Sequence, residues 1–303
     1  MKERAIKIAS SRRQIKIDLA KAQAERKLAA ALSVAEIKNA HSAYVTAKFQ
    51  SALSINNTDL AATHKRYLNA LKKHGYSEAD FEYTPLCPVC NDTGNINGKV
   101  CKCFWEDYLT ALAEVCDIQK KAPFTFDDCK FEDIKNSEQR NKLKSIYEFM
   151  QKYSGKLPDV NLKNIVFSGG TGTGKTCLAS AVARKAVACG KSCKFTSAFE
   201  FNSEMLSAHT SSIAERTSRL HDVLTADLLV IDDLGVEPIY KNVTREYLLL
   251  ILEERTRANL CTLITTNLDW QDIQTKYGDR ICSRLLDKKH SRIVCFGGND
   301  LRL

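Results

Sequence analysis

One eight-residue segment, Gly169–Thr176, constrains this chain more than any other feature. It reads Gly-Gly-Thr-Gly-Thr-Gly-Lys-Thr, and it lies between the apolar run Asn164–Ser168 and the helix-forming run Cys177–Arg184. A strand, a glycine-rich loop and a helix in this order form the setting in which a backbone wraps around phosphate groups. The glycines allow a close approach, and the positive end of the helix attracts the anion. The segment predicts a nucleoside triphosphate site.

Two side chains at the end of this segment have specific predicted roles. The Lys175 ammonium can reach the β- and γ-phosphates, and the Thr176 hydroxyl can ligate Mg²⁺. The residues predicted to contact the nucleotide are Gly169, Gly170, Thr171, Gly172, Thr173, Gly174, Lys175, Thr176, Cys177 and Asp232.

An acidic pair follows further along the chain. The segment Leu228–Asp233 has four apolar residues and then two carboxylates, and Asp232 lies 56 residues after Thr176. At the carboxyl end of a buried strand, Asp232 can hold Mg²⁺ near Thr176, and Asp233 can polarise an attacking water. An apolar run ending in Asp-Asp is a weak signal alone, but its position after the glycine-rich loop strengthens it.

Apolar strands alternate with helical stretches throughout the second half of the chain. This alternation predicts an α/β fold whose parallel sheet is covered by helices on both faces. The predicted strands are Ile165–Ser168, Cys193–Thr196, Asp227–Ile231, Cys261–Thr266 and Arg292–Phe296.

Three polar residues beyond these strands complete the predicted catalytic set. Asn267 directly follows the strand 261–266, where it can sense the γ-phosphate, although a turn-forming role is the simpler alternative. Arg280 and Arg284 are four residues apart and share one helix face. Either arginine can reach the γ-phosphate bound by a neighbouring subunit. A surface salt bridge is the alternative for each.

Four cysteines are paired in a turn-rich segment upstream. Cys87 and Cys90 form a Cys-x-x-Cys pair, and Cys101 and Cys103 follow after ten residues that include two glycines. The spacing predicts a structural zinc site with four thiolate ligands. Redox-active thiols are the alternative, but they need no second pair. The other eight cysteines are scattered, as expected for small buried side chains in a reducing cytoplasm.

The N-terminal part of the chain differs in composition from the rest. Residues 1–80 hold 15 Lys and Arg against 7 Asp and Glu, so nearly all of the formal net charge of +9 lies there. Apolar positions at three- and four-residue steps predict amphipathic helices, with a break at Ser54–Asp59. One predicted face contains Ile15, Leu19, Ala22, Arg26 and Ala29, and a second contains Leu60, Tyr67, Leu68 and Leu71. Such an arm suits a protein partner, nucleic acid or plain packing.

Two classes of segment are absent from the sequence. It has no run of 18 apolar residues and no apolar stretch after Met1 typical of a secretory signal. We therefore expect a cytoplasmic protein without a membrane span. The predicted domains are a helical partner-binding region at 1–82, a zinc module at 83–121 and a nucleotide-binding domain at 122–303.

The order of these motifs resembles the AAA+ ATPases. The glycine-rich loop, Val-Ile-Asp-Asp-Leu-Gly, Thr-Thr-Asn-Leu and Gly-Asp-Arg-x₃-Arg-Leu are similar to those of DnaC/DnaI-type helicase loaders and the related IstB-type transposition helpers. The resemblance spans about residues 122–303, and the segment Leu86–Gly94 is similar to the zinc-bearing region of DnaI-type loaders.

The resemblance implies a set of roles and partners. Lys175 and Thr176 correspond to the Walker A pair, Asp232 and Asp233 to Walker B, and Asn267 to sensor 1. Arg284 is the preferred arginine finger and Arg280 the second choice. Arg302 takes a sensor-2-like role, with no helical lid after it. The implied activity is ATP hydrolysis with Mg²⁺ by a ring or spiral that delivers a hexameric replicative helicase to single-stranded DNA.

Other functions remain open from the sequence. An IstB-type helper acts on duplex DNA and a transposase, a P-loop kinase phosphorylates a small acceptor, and a zinc adaptor retains only a vestigial ATPase. Asp233 departs from the usual AAA+ pattern, which has Glu there. One methylene fewer places the base farther from the attacking water, so we expect slow hydrolysis suited to a switch. The side chains that contact DNA are not identified by any motif, and Lys194, Phe195 and Lys241 are the weak candidates.

Overall fold

The computed structural model describes residues 1–53 and 59–301, which form two compact units. One unit is Ala9–Trp105, and the other joins Met1–Ile8 to Glu106–Leu303. The α-helices described are α1 (Lys2–Leu32), α2 (Ala35–Ala52), α3 (Leu60–Lys73), α4 (Lys102–Val115), α5 (Ile118–Lys121), α6 (Ser137–Gly155), α7 (Lys175–Ala188), α8 (Ala198–Thr210), α9 (Ile213–Thr225), α10 (Thr244–Arg257), α11 (Trp270–Tyr277) and α12 (Asp279–Leu285). The strands described are β1 (Asn95–Ile96), β2 (Lys99–Val100), β3 (Asn164–Gly169), β4 (Cys193–Ser197), β5 (Leu228–Leu234), β6 (Cys261–Thr266) and β7 (Ser291–Phe296).

The larger unit is built on a five-stranded sheet in the order β4-β5-β6-β3-β7, with every neighbouring pair parallel. The α/β prediction is therefore confirmed, and each of the five predicted strands is present within a few residues of its expected bounds. The strand interiors are apolar because helices cover both faces. The carboxyl ends of β3, β5 and β6, which are neighbours or next neighbours in this order, bring the predicted nucleotide motifs to one edge of the sheet.

Side-chain caps define where several helices of this unit begin. Asn136 caps α6 and Ser197 caps α8, each by accepting a backbone N–H bond, and Ser212 with Glu215 forms a capping box on α9. The first turn of α7 differs, because its N-cap residue is Gly174, which offers no side-chain acceptor. The backbone donors at that helix end therefore remain available to an anion.

One hydrophobic core of the larger unit lies between the sheet and the helices α8 to α12. Buried strand residues meet buried helix residues there, and many of them have no measurable exposure. Members of this core include Val166, Leu229, Ile231, Ile264, Met205, Ile251, Ile273 and Leu285. This packing fixes the strand ends that position the site.

The smaller unit begins with long helices, as predicted, but the predicted face of α1 is wrong. Ile15 and Leu19 are 59% and 60% exposed, whereas Ile17 is buried. The second predicted face is half correct, since Tyr67 and Leu71 are buried and Leu68 is exposed. A long, charged helix has several faces with a similar number of apolar residues. The surface against which the helix packs therefore determines which face is buried.

The breaks between the helices of the arm differ from the predicted single break. α1 ends at Leu32 and α2 begins at Ala35, a break that the sequence did not predict. Asp59 caps α3 by accepting the Ala62 N–H at 3.0 Å. The predicted break falls mostly on 54–58, and those residues lie outside the described residues. Across 1–53 and 59–301, no helix is both long and apolar enough to cross a membrane.

Candidate nucleotide-binding site

The glycine-rich loop connects β3 to α7 as the sequence predicted. Gly169, Gly172 and Gly174 all have positive φ angles of 152°, 69° and 94°. A Cβ on Gly169 would collide with the backbone oxygen of Phe296 on the neighbouring strand β7. Glycine is therefore required at 169 both for the backbone conformation and for the close approach of two strands.

The side chain of Lys175 is buried inside this loop. Its Nζ donates to the carbonyl oxygens of Gly169 and Gly170 at 2.8 and 2.6 Å, and to Oδ1 of Asn267 at 2.6 Å. The residue as a whole is only 5% exposed. A cation that donates hydrogen bonds to carbonyl oxygens in a concave loop is well placed to meet phosphate oxygens.

Asp232 accepts hydrogen bonds from two threonines. Thr176 Oγ1 lies 3.1 Å and Thr265 Oγ1 2.7 Å from its Oδ1. Burial raises the pKa of Asp232, while the hydrogen bond from Thr265 acts in the opposite direction. A carboxylate beside a hydroxyl is the kind of oxygen pair that Mg²⁺ uses together with water and substrate phosphates. The donor set at Asp232 and Thr176 therefore fits magnesium.

Asp233 occupies an irregularity in the sheet. The pairing of β5 with β6 shifts register between Ile231 and Leu234, and Asp233 has a φ of 56°. Its N–H donates to Thr265 Oγ1 at 2.8 Å. Because a bulge turns a side chain away from the regular alternation, Asp232 and Asp233 can both be directed at the site. Asp is one of the residue types that tolerate this left-handed conformation best.

Thr265 is a site residue that the sequence analysis missed. Its hydroxyl group contacts both acidic residues. The hydroxyl donates to the Asp232 carboxylate and accepts the backbone N–H of Asp233. Its only sequence signal is its place two residues before Asn267 at the end of a predicted strand. The register of β5 against β6 determines its partners.

A cavity of about 1000 Å³ opens beside the glycine-rich loop. Residues Thr171–Cys177 line it together with Asp233 and Asn267. The lining also includes residues that precede β3 in the chain, namely Phe124, Thr125, Asp128, Cys129, Ile134 and Tyr147. Its size is at the upper end of the range for small-molecule sites.

The segment after β7 forms a further wall of this cavity. Asn299, Asp300 and Leu301 line it, and the Leu301 N–H donates to the Gly172 carbonyl at 2.9 Å. A Cβ on Gly172 would collide with the Asp300 carboxylate, which gives a second reason for a glycine there. Arg302, the predicted sensor-2-like residue, lies outside the described residues.

The two predicted finger arginines lie apart from the cavity lining of their own chain. Both are exposed on α12, and Arg284 Nη2 forms an ion pair with Glu253 Oε1 at 2.8 Å. The structure therefore brings together Lys175, Thr176, Asp232 and Asn267 but not these arginines. Their role across a subunit boundary remains a prediction.

The four paired cysteines converge in the smaller unit. The sulfur atoms of Cys87, Cys90, Cys101 and Cys103 all lie within 4.8 Å of one another. The Sγ–Sγ distances are 3.9 Å for Cys87–Cys101 and 3.5 Å for Cys90–Cys103. Tetrahedral zinc–sulfur bonds of about 2.3 Å place sulfurs about 3.8 Å apart, so the cluster fits zinc. A disulfide needs about 2.05 Å.

The hairpin β1–β2 explains how a Cys-x-Cys pair serves this cluster. The Cys101 N–H donates to the Gly94 carbonyl at 2.9 Å, and Cys103 lies in the first turn of α4. The chain changes from strand to helix between the two cysteines. That change turns both sulfurs toward the first pair.

The weak candidates for DNA contact are mostly accounted for by packing. Phe195 is 8% exposed, and Lys194 forms an ion pair with Glu204 at 3.1 Å. Lys241 is exposed.

This sheet order, the phosphate loop, the acidic pair and the polar residue after the adjacent strand define an ATP-binding domain of the AAA+ class. Within that class, the chain belongs to the family described as IstB-like ATP binding protein, which matches residues 125–303. The predicted family and fold are thus confirmed.

The curated relatives include proteins named replicative helicase loaders. The chain is 30% identical over 164 residues to "Replicative helicase loader DnaC" of Buchnera aphidicola subsp. Acyrthosiphon pisum (strain APS), and 28% identical over 162 residues to the protein of the same name from Escherichia coli (strain K12). Each match covers 52% of this chain and 63% of the relative. A crystal structure of DnaI matches with a TM-score of 0.46 and 22% identity, covering 61% of this chain and 93% of that one.

Proposed function

We propose that this protein is an ATP-dependent loader of a replicative helicase. The observation that supports this most directly is the alignment of about half of the chain with proteins named replicative helicase loader at 28–30% identity. The helical arm and the cysteine cluster supply the part of a loader that contacts a partner. A replication role places the protein in the cytoplasm.

The nucleotide part of the proposal assigns one task to each residue of the site. The loop 169–174 and the first turn of α7 bind the phosphates, and Lys175 exchanges its contact with Asn267 for a phosphate oxygen. Thr176 and Asp232 would hold Mg²⁺, which neutralises phosphate charge when bound. Asp233 accepts a proton from the water that attacks the γ-phosphorus, and Asn267 orients that water.

The partner part of the proposal concerns surfaces. Arg284, or Arg280, extends from α12 toward the γ-phosphate of a neighbouring subunit, so the active assembly is a ring or spiral. Both side chains are exposed, as such a role requires. The basic N-terminal region, with 15 Lys and Arg in residues 1–80, binds a hexameric helicase, and the ATPase domains bind single-stranded DNA.

An IstB-type transposition helper is the second candidate. The specific observation in its favour is the family match itself, which covers residues 125–303. In this alternative, the same ATP site controls binding to duplex DNA and a transposase.

Co-purification with hexameric replicative helicases, with and without ATP, tests the proposal. We expect a complex whose stability changes with ATP, followed by transfer of the helicase to single-stranded DNA. Lys175→Ala should remove the ATP effect, and Lys185→Ala, on the exposed side of the same helix, should keep it. Failure to bind any helicase, together with ATP-dependent binding to duplex DNA, would favour the transposition helper.

A further inference from the structure

One face of helix α1 packs against the cysteine cluster within the smaller unit. Arg13, Ile17 and Lys21 are spaced by four residues and therefore lie on the same side of the helix. Ile17 is 8% exposed, and the Arg13 side chain is 11% exposed. This face differs from the apolar face predicted from the sequence. It carries the largely buried guanidinium of Arg13, the buried aliphatic side chain of Ile17 and the exposed ammonium of Lys21.

The Arg13 guanidinium contacts the sulfur atoms directly. Its Nη2 lies 3.1 Å from Cys103 Sγ and 3.7 Å from Cys90 Sγ. The same nitrogen is 3.4 Å from Asp92 Oδ1, and Nε is 3.4 Å from the Asp92 carbonyl oxygen. One side chain thus joins two of the four cysteines to the loop between the cysteine pairs.

Asp92 connects Arg13 to Cys87, the other member of the first cysteine pair. Its carboxylate accepts the N–H groups of Cys87 at 2.9 Å and Leu86 at 2.8 Å. It also accepts the Tyr83 hydroxyl, and Lys21 Nζ lies 5.4 Å from the centre of the Tyr83 ring. The α1 face and the cysteine loop therefore share one polar network with two cationic attachment points.

Charge explains why a guanidinium is suited to this position. Four thiolates around a divalent cation carry a net charge of −2, and such a centre is stabilised by N–H donors to its sulfurs. A guanidinium supplies several donors in a fixed plane and is weakly hydrated, so it tolerates burial beside an anionic group. Neutral thiols are weaker acceptors for a guanidinium than thiolates are, so the contact is strongest when the sulfurs are deprotonated.

We infer that Arg13 is the outer-shell partner of a metal–tetrathiolate centre at Cys87, Cys90, Cys101 and Cys103, and that metal binding thereby attaches helix α1 to the cysteine cluster. The sulfurs bind the metal, and Arg13 binds the loaded sulfurs. In this arrangement the metal orders the helical arm as well as the short hairpin. The inference does not depend on the ATPase or loader proposals.

Metal affinity of the full-length protein provides the first test. Arg13→Ala should weaken Zn²⁺ binding about 10- to 100-fold in competition with a chromophoric chelator, the usual effect of removing an outer-shell partner. Arg13→Lys should recover part of the affinity, because it keeps the charge but loses the planar set of donors. Arg26→Ala, which removes an exposed arginine from the same helix, should match the wild type.

Cobalt substitution and hydrogen exchange separate a metal effect from a general folding defect. In Co²⁺-loaded protein, the thiolate-to-metal charge-transfer bands should shift in Arg13→Ala. The d–d bands should keep the intensity typical of a tetrahedral site. In the wild type, amide exchange in residues 9–21 should accelerate when Zn²⁺ is removed, with exchange in the sheet β3–β7 unchanged as the folding control. Equal Zn²⁺ affinity for Arg13→Ala and the wild type, no binding of either metal, or metal-independent exchange in residues 9–21 would each overturn the inference.

Discussion

The ammonium of Lys175 donates a hydrogen bond to Oδ1 of Asn267, with 2.6 Å between the two atoms. This contact joins the first residue of α7 to the residue after β6, and β6 lies beside β3 in the sheet. The predicted sensor residue and the lysine predicted to bind phosphate therefore contact each other directly. In the function proposed above, a phosphate that binds Lys175 would release the Asn267 amide, and this exchange would signal that the site is occupied.

Replacing Lys175 by alanine should weaken ATP binding on the order of 10- to 100-fold. The reason is the loss of a charged donor to phosphate, and such hydrogen bonds contribute about 1.5–3 kcal/mol. Titration with a fluorescent ATP analogue measures the change. Lys185→Ala is the matched control and should bind like the wild type. Unchanged affinity in Lys175→Ala would contradict the assignment of the loop.

Replacing Asn267 by alanine should separate binding from hydrolysis. We expect kcat to fall on the order of 10²- to 10³-fold, as for the removal of one positioned polar group. The dissociation constant for ATP should change little, because Lys175 keeps its backbone partners. Steady-state hydrolysis and equilibrium binding are measured together, with the exposed Asn141→Ala as control. A parallel loss of binding would show that Asn267 mainly holds the loop.

Two substitutions at Asp233 test its role as the base. Asp233→Asn should lower the single-turnover rate about 10²- to 10⁴-fold with binding intact. Asp233→Glu should accelerate hydrolysis, because one further methylene brings the carboxylate nearer to the water. It should also cost about 1 kcal/mol of stability, since the position has a φ of 56°. A Glu variant with an unchanged or slower rate would count against this account of slow hydrolysis.

The raised pKa of Asp232 predicts a pH-dependent effect on stability. Burial makes the folded state hold this proton more tightly than the unfolded chain does. The charged form therefore destabilises the folded protein as pH rises through the unfolded pKa, and the full penalty is present above the folded pKa. At neutral pH and without nucleotide, Asp232→Asn should therefore be at least as stable as the wild type. We expect its free energy of unfolding to be higher by up to ~1 kcal/mol.

Thermal unfolding at several pH values measures this difference. The advantage of Asp232→Asn should disappear at acidic pH, where the wild-type carboxyl is protonated in both states. The same variant should lose the dependence of ATP binding on Mg²⁺, because a neutral amide replaces the anionic ligand. The prediction is contradicted if the stability of Asp232→Asn, compared with that of the wild type, is lower at neutral pH than at acidic pH.

Mixing of variants tests the arginines on α12. Arg284→Ala should retain ATP binding and lose most hydrolysis, with a loss on the order of 10³-fold as for other arginine fingers. Mixing it with Asp233→Asn should restore part of the activity, because a subunit with an intact Arg284 can complete the site of one with an intact Asp233. Arg280→Ala serves as the comparison. If neither arginine variant changes the rate, the finger lies elsewhere.

The sequence by itself determined the parts of this protein whose chemistry is local. A glycine-rich loop followed by Lys175 and Thr176 specifies phosphate binding wherever it connects a strand to a helix, and the alternation of apolar strands with helices specifies a parallel sheet. The four cysteines were identifiable as one set because their spacing matches the reach of a metal. These features need only neighbouring residues.

Tertiary structure alone decided the contacts made between distant segments. The register of β5 against β6 placed Thr265 between Asp232 and Asp233, and the bulge at Asp233 set the direction of its carboxylate. The burial of Arg13 on α1 depends on the cysteine cluster. The sulfur atoms that it contacts, in Cys90 and Cys103, lie 77 and 90 residues further along the chain. No local pattern encodes such pairings, because they arise only when the fold brings separate surfaces together.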